Sequence, residues 1–315
     1  LKIVHGADIR STPAKGCILA VGNFDGVHLG HQRVFDVAVK QAEALGLTAA
    51  LLTFSDHPLK ILRPEMAPRP LMVLEDRLKI AGESGFETAF VLDFDARLSS
   101  MPPDTFTDRI LTEALGAVGI IAGSGWRFGK GRTGDMNFLK KTARDKGFKV
   151  WAVQPVLVGE RPVSSTRIRD LLAEGDVNAA RELLGRPHFV RGVVRKGRGR
   201  GKGIGFPTVN LDTGDVMVPA DGVYAGAYLL PDRRGPAAVN VGPSPTFEDS
   251  IPGVEAHLLG WDGDLYGDSV TIAFIDRLRD ENAYTDTRIL SSQIAVDVDR
   301  AAGIFTHRAV EGIPL

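Results

Sequence analysis

Residues 17–31 read Cys-Ile-Leu-Ala-Val-Gly-Asn-Phe-Asp-Gly-Val-His-Leu-Gly-His, and the fold of the first half of the chain turns on them. Cys17 to Val21 is an unbroken apolar run of strand length, followed by a Gly-rich turn at Gly22, Asn23, Phe24, Asp25 and Gly26. Val34, Phe35, Val37, Ala38, Ala42 and Leu45 then recur at helical spacing. A strand that enters such a turn and then a helix offers free backbone N–H groups, and the positive end of the helix macrodipole, to an anion. His28 and His31 stand at the start of that helix and add donors without adding a nucleophile. Either histidine alone reads as a helix cap; strand, turn, His pair and amphipathic helix together read as a phosphate site.

His28-Leu29-Gly30-His31 resembles the His-x-Gly-His segment of nucleotidyltransferases, which join a nucleotide to a phosphorylated acceptor. Outward from it, short apolar runs (Ile18 to Val21, Ala49 to Phe54, Ala89 to Leu92, Val118 to Ala122, Val150 to Val153) alternate with predicted helices. Those helices are Gln32 to Leu45, Val73 to Glu83, Asp104 to Leu115 and Phe138 to Lys146. Alternation of this kind predicts parallel strands with crossovers, hence an α/β domain with a doubly wound parallel sheet. Its ligand site belongs at the carboxyl ends of the strands, where the Gly22 turn falls.

Two further predicted helices, Ser165 to Ala173 and Val177 to Leu184, end at Gly185-Arg186-Pro187, and the pattern changes there. Short β-type runs (Val190 to Val194, Val223 to Leu230, Ala237 to Val241, Val254 to Leu259, Ser269 to Ile275) are separated by Gly, Pro and Asp turns. This predicts an antiparallel β-barrel or sandwich, closed off by a terminal helix at about Thr287 to Ala302. The expected domains are therefore 1–184 and 185–315.

Composition bounds the setting. The chain has 315 residues, 43% of them hydrophobic, enough for two ordinary cores. Its one cysteine, Cys17, allows no internal disulfide and no Cys-based metal site. No apolar run reaches the ~18 residues that span a bilayer, and the opening residues lack the pattern of a secretory leader, so a cytoplasmic location and no membrane partner are expected. A formal net charge of -1 gives no global attraction to nucleic acid. A monomer or weak homo-oligomer is expected.

Two N-terminal segments are expected to converge on the turn. Thr53-Phe54-Ser55-Asp56-His57-Pro58 ends the second run and suggests a polar pocket wall, or simply a loop terminator. Ser164-Ser165-Thr166-Arg167-Ile168-Arg169 opens a helix with hydroxyls, which are ordinary N-caps or, beside the His pair, triphosphate donors together with Arg169. The expected step is attack of an acceptor phosphate on the α-phosphorus of a nucleoside triphosphate, with pyrophosphate leaving. Mg²⁺ neutralises charge, His28 and His31 stabilise the transition state, and no covalent enzyme intermediate is needed.

The second half carries Gly197-Arg198-Gly199-Arg200-Gly201-Lys202-Gly203-Ile204-Gly205-Phe206-Pro207-Thr208-Val209-Asn210. Gly199, Gly201, Lys202 and Gly203 suit a phosphate-approaching loop, although the segment is also basic enough to suggest RNA. Thr208 and Asn210 alternate along the following run, share one face, and are candidate Mg²⁺ ligands alongside nucleotide phosphates; an exposed polar edge is the plain alternative. Glu255 is a lone carboxylate in a β-type run; if it points into the barrel mouth it can take the proton of a substrate hydroxyl during phosphoryl transfer.

Together these segments, with Arg127-Phe128-Gly129, Val239-Asn240-Val241-Gly242, Pro245-Thr246-Phe247 and Asp264-Leu265-Tyr266-Gly267, resemble the bacterial bifunctional riboflavin kinases/FMN adenylyltransferases, the prokaryotic FAD synthetases, over nearly the whole chain. The resemblance implies that the C-terminal module phosphorylates riboflavin to FMN with ATP and Mg²⁺, and that the N-terminal module adenylylates FMN to FAD. It implies that Ser165 and Thr166 contact ATP, that Thr208 and Asn210 belong to the kinase's Pro-Thr-Ala-Asn signature (with Val209 for Ala), and that Glu255 is the kinase's general base. Two departures fall in the adenylyltransferase. Gly125 stands where the family usually has Asn or Asp, and Pro162 where it has a basic residue, leaving Arg161 as the expected phosphate contact. A kinase with a weakened first module and a flavin-sensing binding protein are the alternatives.

Overall fold

The apolar run at the head of the site is an interior strand of a six-stranded sheet in the computed structural model of the chain, which describes residues 1–6, 16–197, 200–242, 253–306 and 310–314. The strands are β1 (Lys2–His5), β2 (Cys17–Val21), β3 (Thr48–Phe54), β4 (Thr88–Leu92), β5 (Ala117–Gly123) and β6 (Lys149–Val153), in the order β1-β4-β3-β2-β5-β6. Every pairing is parallel. From β2 the chain proceeds outward through β3 and β4, then returns to lay β5 on the other side of β2. The β2/β5 crevice is therefore the point at which the winding reverses. β1 is an addition to the predicted strands: only Val4 of its four residues is buried, too little apolar content to signal a strand.

Helix α1 (Leu29–Leu45) covers β2, β3 and β5 with Val34, Phe35, Ala38 and Ala42. The opposite face, through Cys17, Leu19, Val21, Ile120 and Ala122, packs on Phe106, Leu111, Met136, Leu139 and Ala143. These come from α5 (Pro103–Phe106), the helical stretch Thr107–Ala114 and α6 (Met136–Lys146). Short helices α2 (Leu59–Leu62) and α4 (Ala96–Ser99) lie in connections, and α3 (Leu74–Glu83) precedes β4. The expected helix over Asp104 to Leu115 is instead a short α-turn running into a π-helix over Thr107–Ala114. There the hydroxyls of Thr107 and Thr112 bond carbonyls four residues back, and Leu115 N–H reaches the Ile110 carbonyl at 3.0 Å. A two-stranded hairpin, β7 (Leu157–Val158) with β8 (Arg161–Pro162), follows β6.

The later strands, β9 (His188–Arg195), β10 (Val209–Asp212), β11 (Gly222–Leu229), β12 (Arg234–Gly242), β13 (Gly253–Leu258) and β14 (Ser269–Arg279), close an antiparallel barrel in the order β10-β13-β12-β11-β14-β9. Register sorts its two faces. Leu211, Val254, Val241 and Val194 form one buried row and Ala256 and Val239 the next, so these point inward with Tyr224, Ile272 and Phe274. Outside, α10 (Thr287–Ile304) lays Ala301 and Ile304 on Val223, Ala225, Ala238 and Leu278. Arg279 clamps α10 through two nitrogens on the buried Asp297 carboxylate, at 2.8 and 3.0 Å.

The chain divides into two compact units, Leu1–Pro70 with Leu74–Val163, and Leu71–Val73 with Ser164–Leu315. They part at Val163/Ser164 rather than at the expected 184/185 because α7 (Ser165–Ala173) and α8 (Val177–Leu184) are tied to the barrel. Arg277 donates to the Glu174 carbonyl at 3.1 Å, Ala220 N–H to the Leu172 carbonyl at 2.8 Å and the Asn178 amide to Asp276 at 2.7 Å.

Candidate functional site

The turn after β2 is tightly built. Phe24 (φ 52°), Gly26 (φ 83°) and Val27 (φ 37°) all lie in the left-handed region, uncomfortable for phenylalanine and more so for β-branched valine. Glycine at 22 is enforced from above: a Cβ there would stand 2.9 Å from the Phe24 ring, which itself packs edge-on against His31 and Phe35. Phe24 and Asp25 are buried. Phe24 is thus a packing residue, and any bond it makes to a phosphate comes from its backbone.

His28 is the N-cap of α1, its Nδ1 accepting the His31 N–H at 3.3 Å. That bond puts the proton of the neutral ring on Nε2. The two imidazoles stack with centroids 3.6 Å apart, and a Cβ at Gly30 would come within 3.1 Å of the His28 ring. The pair sits at the carboxyl end of β2, beside the reversal of the sheet. Thr53, expected in a pocket wall, is instead fully buried in β3 and donates to the Asn23 carbonyl at 3.1 Å. Behind it lies a residue that the motifs do not announce. Arg77 of α3, 4% exposed, donates from Nη1 to Thr53 Oγ1 and to the Phe54 carbonyl, both at 3.1 Å. Burial pushes Arg77 below its usual basicity while Asp25, Asp56 and Glu75 pull it back. The signal was a cation on the apolar stripe Leu74, Leu78, Ala81.

Arg161 lies exposed on β8. Gly125 has an ordinary backbone, and a side chain there would meet no atom within 4 Å. Ser165, Thr166 and Arg169 lie in the first turns of α7, in the second unit, with Ser164 as N-cap accepting the Arg167 N–H.

In the barrel, Asn210 of β10 pairs directly with Glu255 of β13, and Glu255 with Asn240 of β12. Direct partners share a face, and the adjacent residues Leu211, Val254 and Val241 fill the interior. Glu255 therefore does not point into the barrel mouth; strand alternation puts it on the outer face with Asn210 and Asn240. The Gly-rich loop lies on the same residues: a Cβ at Gly197 would overlap the Asn210 amide, and one at Gly201 would overlap the Phe206 carbonyl and stand 3.3 Å from Thr208 Oγ1. Gly203 closes the short helix α9 (Arg200–Gly203) within this loop. Gly199, the side chain of Lys202 and Pro245-Thr246-Phe247 lie outside the described residues. His257 donates from Nδ1 to the Pro207 carbonyl (2.7 Å), fastening β13 to the segment before Thr208. Asn240 donates to Glu281 at 2.7 Å, and burial pushes the Glu281 carboxyl above the ordinary range. Asn240 and Glu281 were not among the expected site residues; their partnership across 41 positions leaves no local pattern.

A histidine pair at the reversal point of a doubly wound sheet, and a threonine, an asparagine and a carboxylate on the skin of a separate barrel, define a two-module nucleotide-dependent transferase. Family models match in that order, FAD synthetase over residues 10–167 and riboflavin kinase over 184–305. Over 305 residues the chain is 34% identical to the bifunctional riboflavin kinase/FMN adenylyltransferase of Pseudomonas fluorescens, covering 96% of this chain and 98% of that one. The Bacillus subtilis (strain 168) protein of the same description is 33% identical, with 95% of each chain covered. The Escherichia coli K12 protein is 31% identical, with 94% and 96% covered. A Streptococcus pneumoniae structure described as a macrolide-efflux protein superposes with a TM-score of 0.86 at 29% identity, over 97% of this chain and 100% of that one. The chain belongs to the bifunctional riboflavin kinase/FMN adenylyltransferase family. It phosphorylates riboflavin to FMN and adenylylates FMN to FAD, and both modules are present, against the readings as a kinase with a degenerate partner or a flavin sensor. No helix among the described residues is long and apolar enough to cross a membrane.

Proposed function

We propose that the adenylyl step is carried by residues 1–184 and the kinase step by 185–315, with the following division of labour. In the first, an FMN phosphate oxygen attacks the α-phosphorus of ATP, the bond to the β-phosphate breaks, and pyrophosphate leaves. The backbone of Gly22, Asn23, Phe24 and Asp25 and the Nε2–H of His28 face the phosphates, and His31 holds the His28 ring by stacking. Arg161 contributes a further donor. What supports this is the His28 cap: a ring whose Nδ1 is committed to the His31 N–H presents its other nitrogen as a donor.

In the second, the riboflavin 5′-hydroxyl attacks the γ-phosphorus, its proton passes to a Glu255 carboxylate oxygen, and ADP leaves. Gly199, Gly201, Lys202 and Gly203 approach the phosphates. Thr208 and Asn210 offer neutral oxygens side by side, suited to a Mg²⁺ ion held mainly by phosphates and water. When bound, that ion neutralises phosphate charge. The single observation that carries the kinase reading is the direct cross-strand pairing of Asn210 with Glu255, which sets a base beside a nucleotide contact. A cytoplasmic enzyme, monomeric or weakly self-associating and without nucleic-acid or membrane partners, completes the proposal.

Incubation with riboflavin, ATP and Mg²⁺, with the flavins separated chromatographically, tests it. His28→Ala is expected to abolish FAD and spare FMN; Glu255→Ala is expected to abolish FMN while leaving FAD formation from supplied FMN. A variant that stops both reactions, or neither, removes the assignment.

A further inference from the structure

Two groups at the base of the first site are buried and unclaimed by the chemistry just described: the Arg77 guanidinium and the Thr53 hydroxyl. They form a chain of donors. Arg77 Nη1 donates to Thr53 Oγ1 at 3.1 Å, and Thr53 Oγ1 donates to the Asn23 carbonyl at 3.1 Å. The Asn23 carbonyl belongs to the turn that, one residue later, enters the left-handed region at Phe24 and does so again at Val27, immediately before His28. A turn with two such residues is held by its surroundings rather than by its own preference. Among the carboxylates that favour the charged form of Arg77, Asp25 of the same turn comes first.

Stability alone does not account for a guanidinium here. Arg77 Nε is buried without a hydrogen-bond partner among the described residues, as is Asn23 Oδ1. A buried charge with an unmet donor is less favourable than a well-packed apolar side chain of similar size. Its place in α3, between Leu74, Leu78 and Ala81, is one that methionine fills without that penalty.

We propose that Arg77 is a positioning residue of the adenylyl-transfer site: through Thr53 it fixes the Asn23 carbonyl, so that the strained turn presents His28 to the nucleotide. Arg77 touches no substrate. It acts through the turn, and the inference rests on the reading of that turn as the FAD-forming site.

The test measures FAD formation from FMN and riboflavin phosphorylation on the same preparation, the second reaction serving as an internal standard of folded enzyme. Thr53→Val, which keeps shape and removes the hydroxyl, and Arg77→Met are expected to lower kcat for FAD formation about tenfold to a hundredfold, as misplacing a catalytic group by up to about 1 Å does. KM for FMN and the kinase rate are expected to stay within about twofold. Thr53→Ser, which restores the hydroxyl, is expected to retain the parent kcat. Should Arg77→Met fail to fold, Thr53→Val decides alone. Parent kcat in Thr53→Val, equal losses in both reactions, or a loss in Thr53→Ser as large as in Thr53→Val would each overturn the role given to Arg77. Failure of the parent protein to make FAD would instead overturn the reading of the turn.

Discussion

At the scale of single residues, Gly125 offers the clearest experiment. Its backbone needs no glycine and the space around it is open, so the missing family side chain leaves the fold untouched. Gly125→Asn is expected to leave the melting temperature unchanged and to raise kcat/KM for FAD formation about fivefold to tenfold, the worth of one hydrogen bond. Continuous measurement of pyrophosphate release reads this directly, and an unchanged kcat/KM means the polar contact is supplied from elsewhere. Residue types told the rest unevenly. The placement of His28 and His31 at the head of a helix was legible because an apolar run, a glycine turn and an amphipathic pattern follow one another there. Phe24 was not, because the same motif position can face a ligand or the core, and only packing on His31 and Phe35 decides.

At the scale of elements, the barrel carries a buried imidazole. His188 of β9 is buried against Phe274, bonds the Met217 carbonyl at 2.7 Å, and is pushed by burial down to about 4. The unfolded chain holds a proton on this ring below about 6.5, whereas the folded chain refuses it until about 4. Stability from this group is therefore complete above the unfolded value and falls as pH drops through that window, by about 3 kcal/mol at its foot. Urea unfolding of the barrel monitored between pH 7 and 4 is expected to show this slope, and His188→Phe to flatten it. The clamp on α10 gives a second element-scale expectation. Asp297 is 2% exposed and takes two Arg279 nitrogens. Asp297→Ala strands a partly buried guanidinium and is expected to destabilise by about 3 kcal/mol, read as a lowered denaturation midpoint with the secondary structure retained below it. Most elements were visible in the sequence as apolar period. Among those that were not, β1 and the π-helical turn depend on edge pairing and on threonine hydroxyls competing for carbonyls, neither of which has a period.

At the scale of the whole molecule, alternation of strand and helix followed by closely spaced β-runs was enough to read a parallel sheet and then a barrel. The compact units part at 163/164, ahead of the expected domain boundary at 184/185, because α7 and α8 continue the helical pattern of the first half while Arg277, Ala220 and Asp276 bind them to the barrel through contacts far apart in sequence. The inward or outward sense of Glu255 was equally hidden, since alternation gives two faces but not which one is inside.

The barrel's inside is filled with side chains, and the residues proposed to meet nucleotide and vitamin stand on its skin. Substrate admission therefore requires no breathing of the hydrophobic interior. Hardening that interior against heat, by better-filling aliphatic side chains, carries no penalty in turnover, so thermal endurance and catalytic speed of the phosphorylating module can be improved separately.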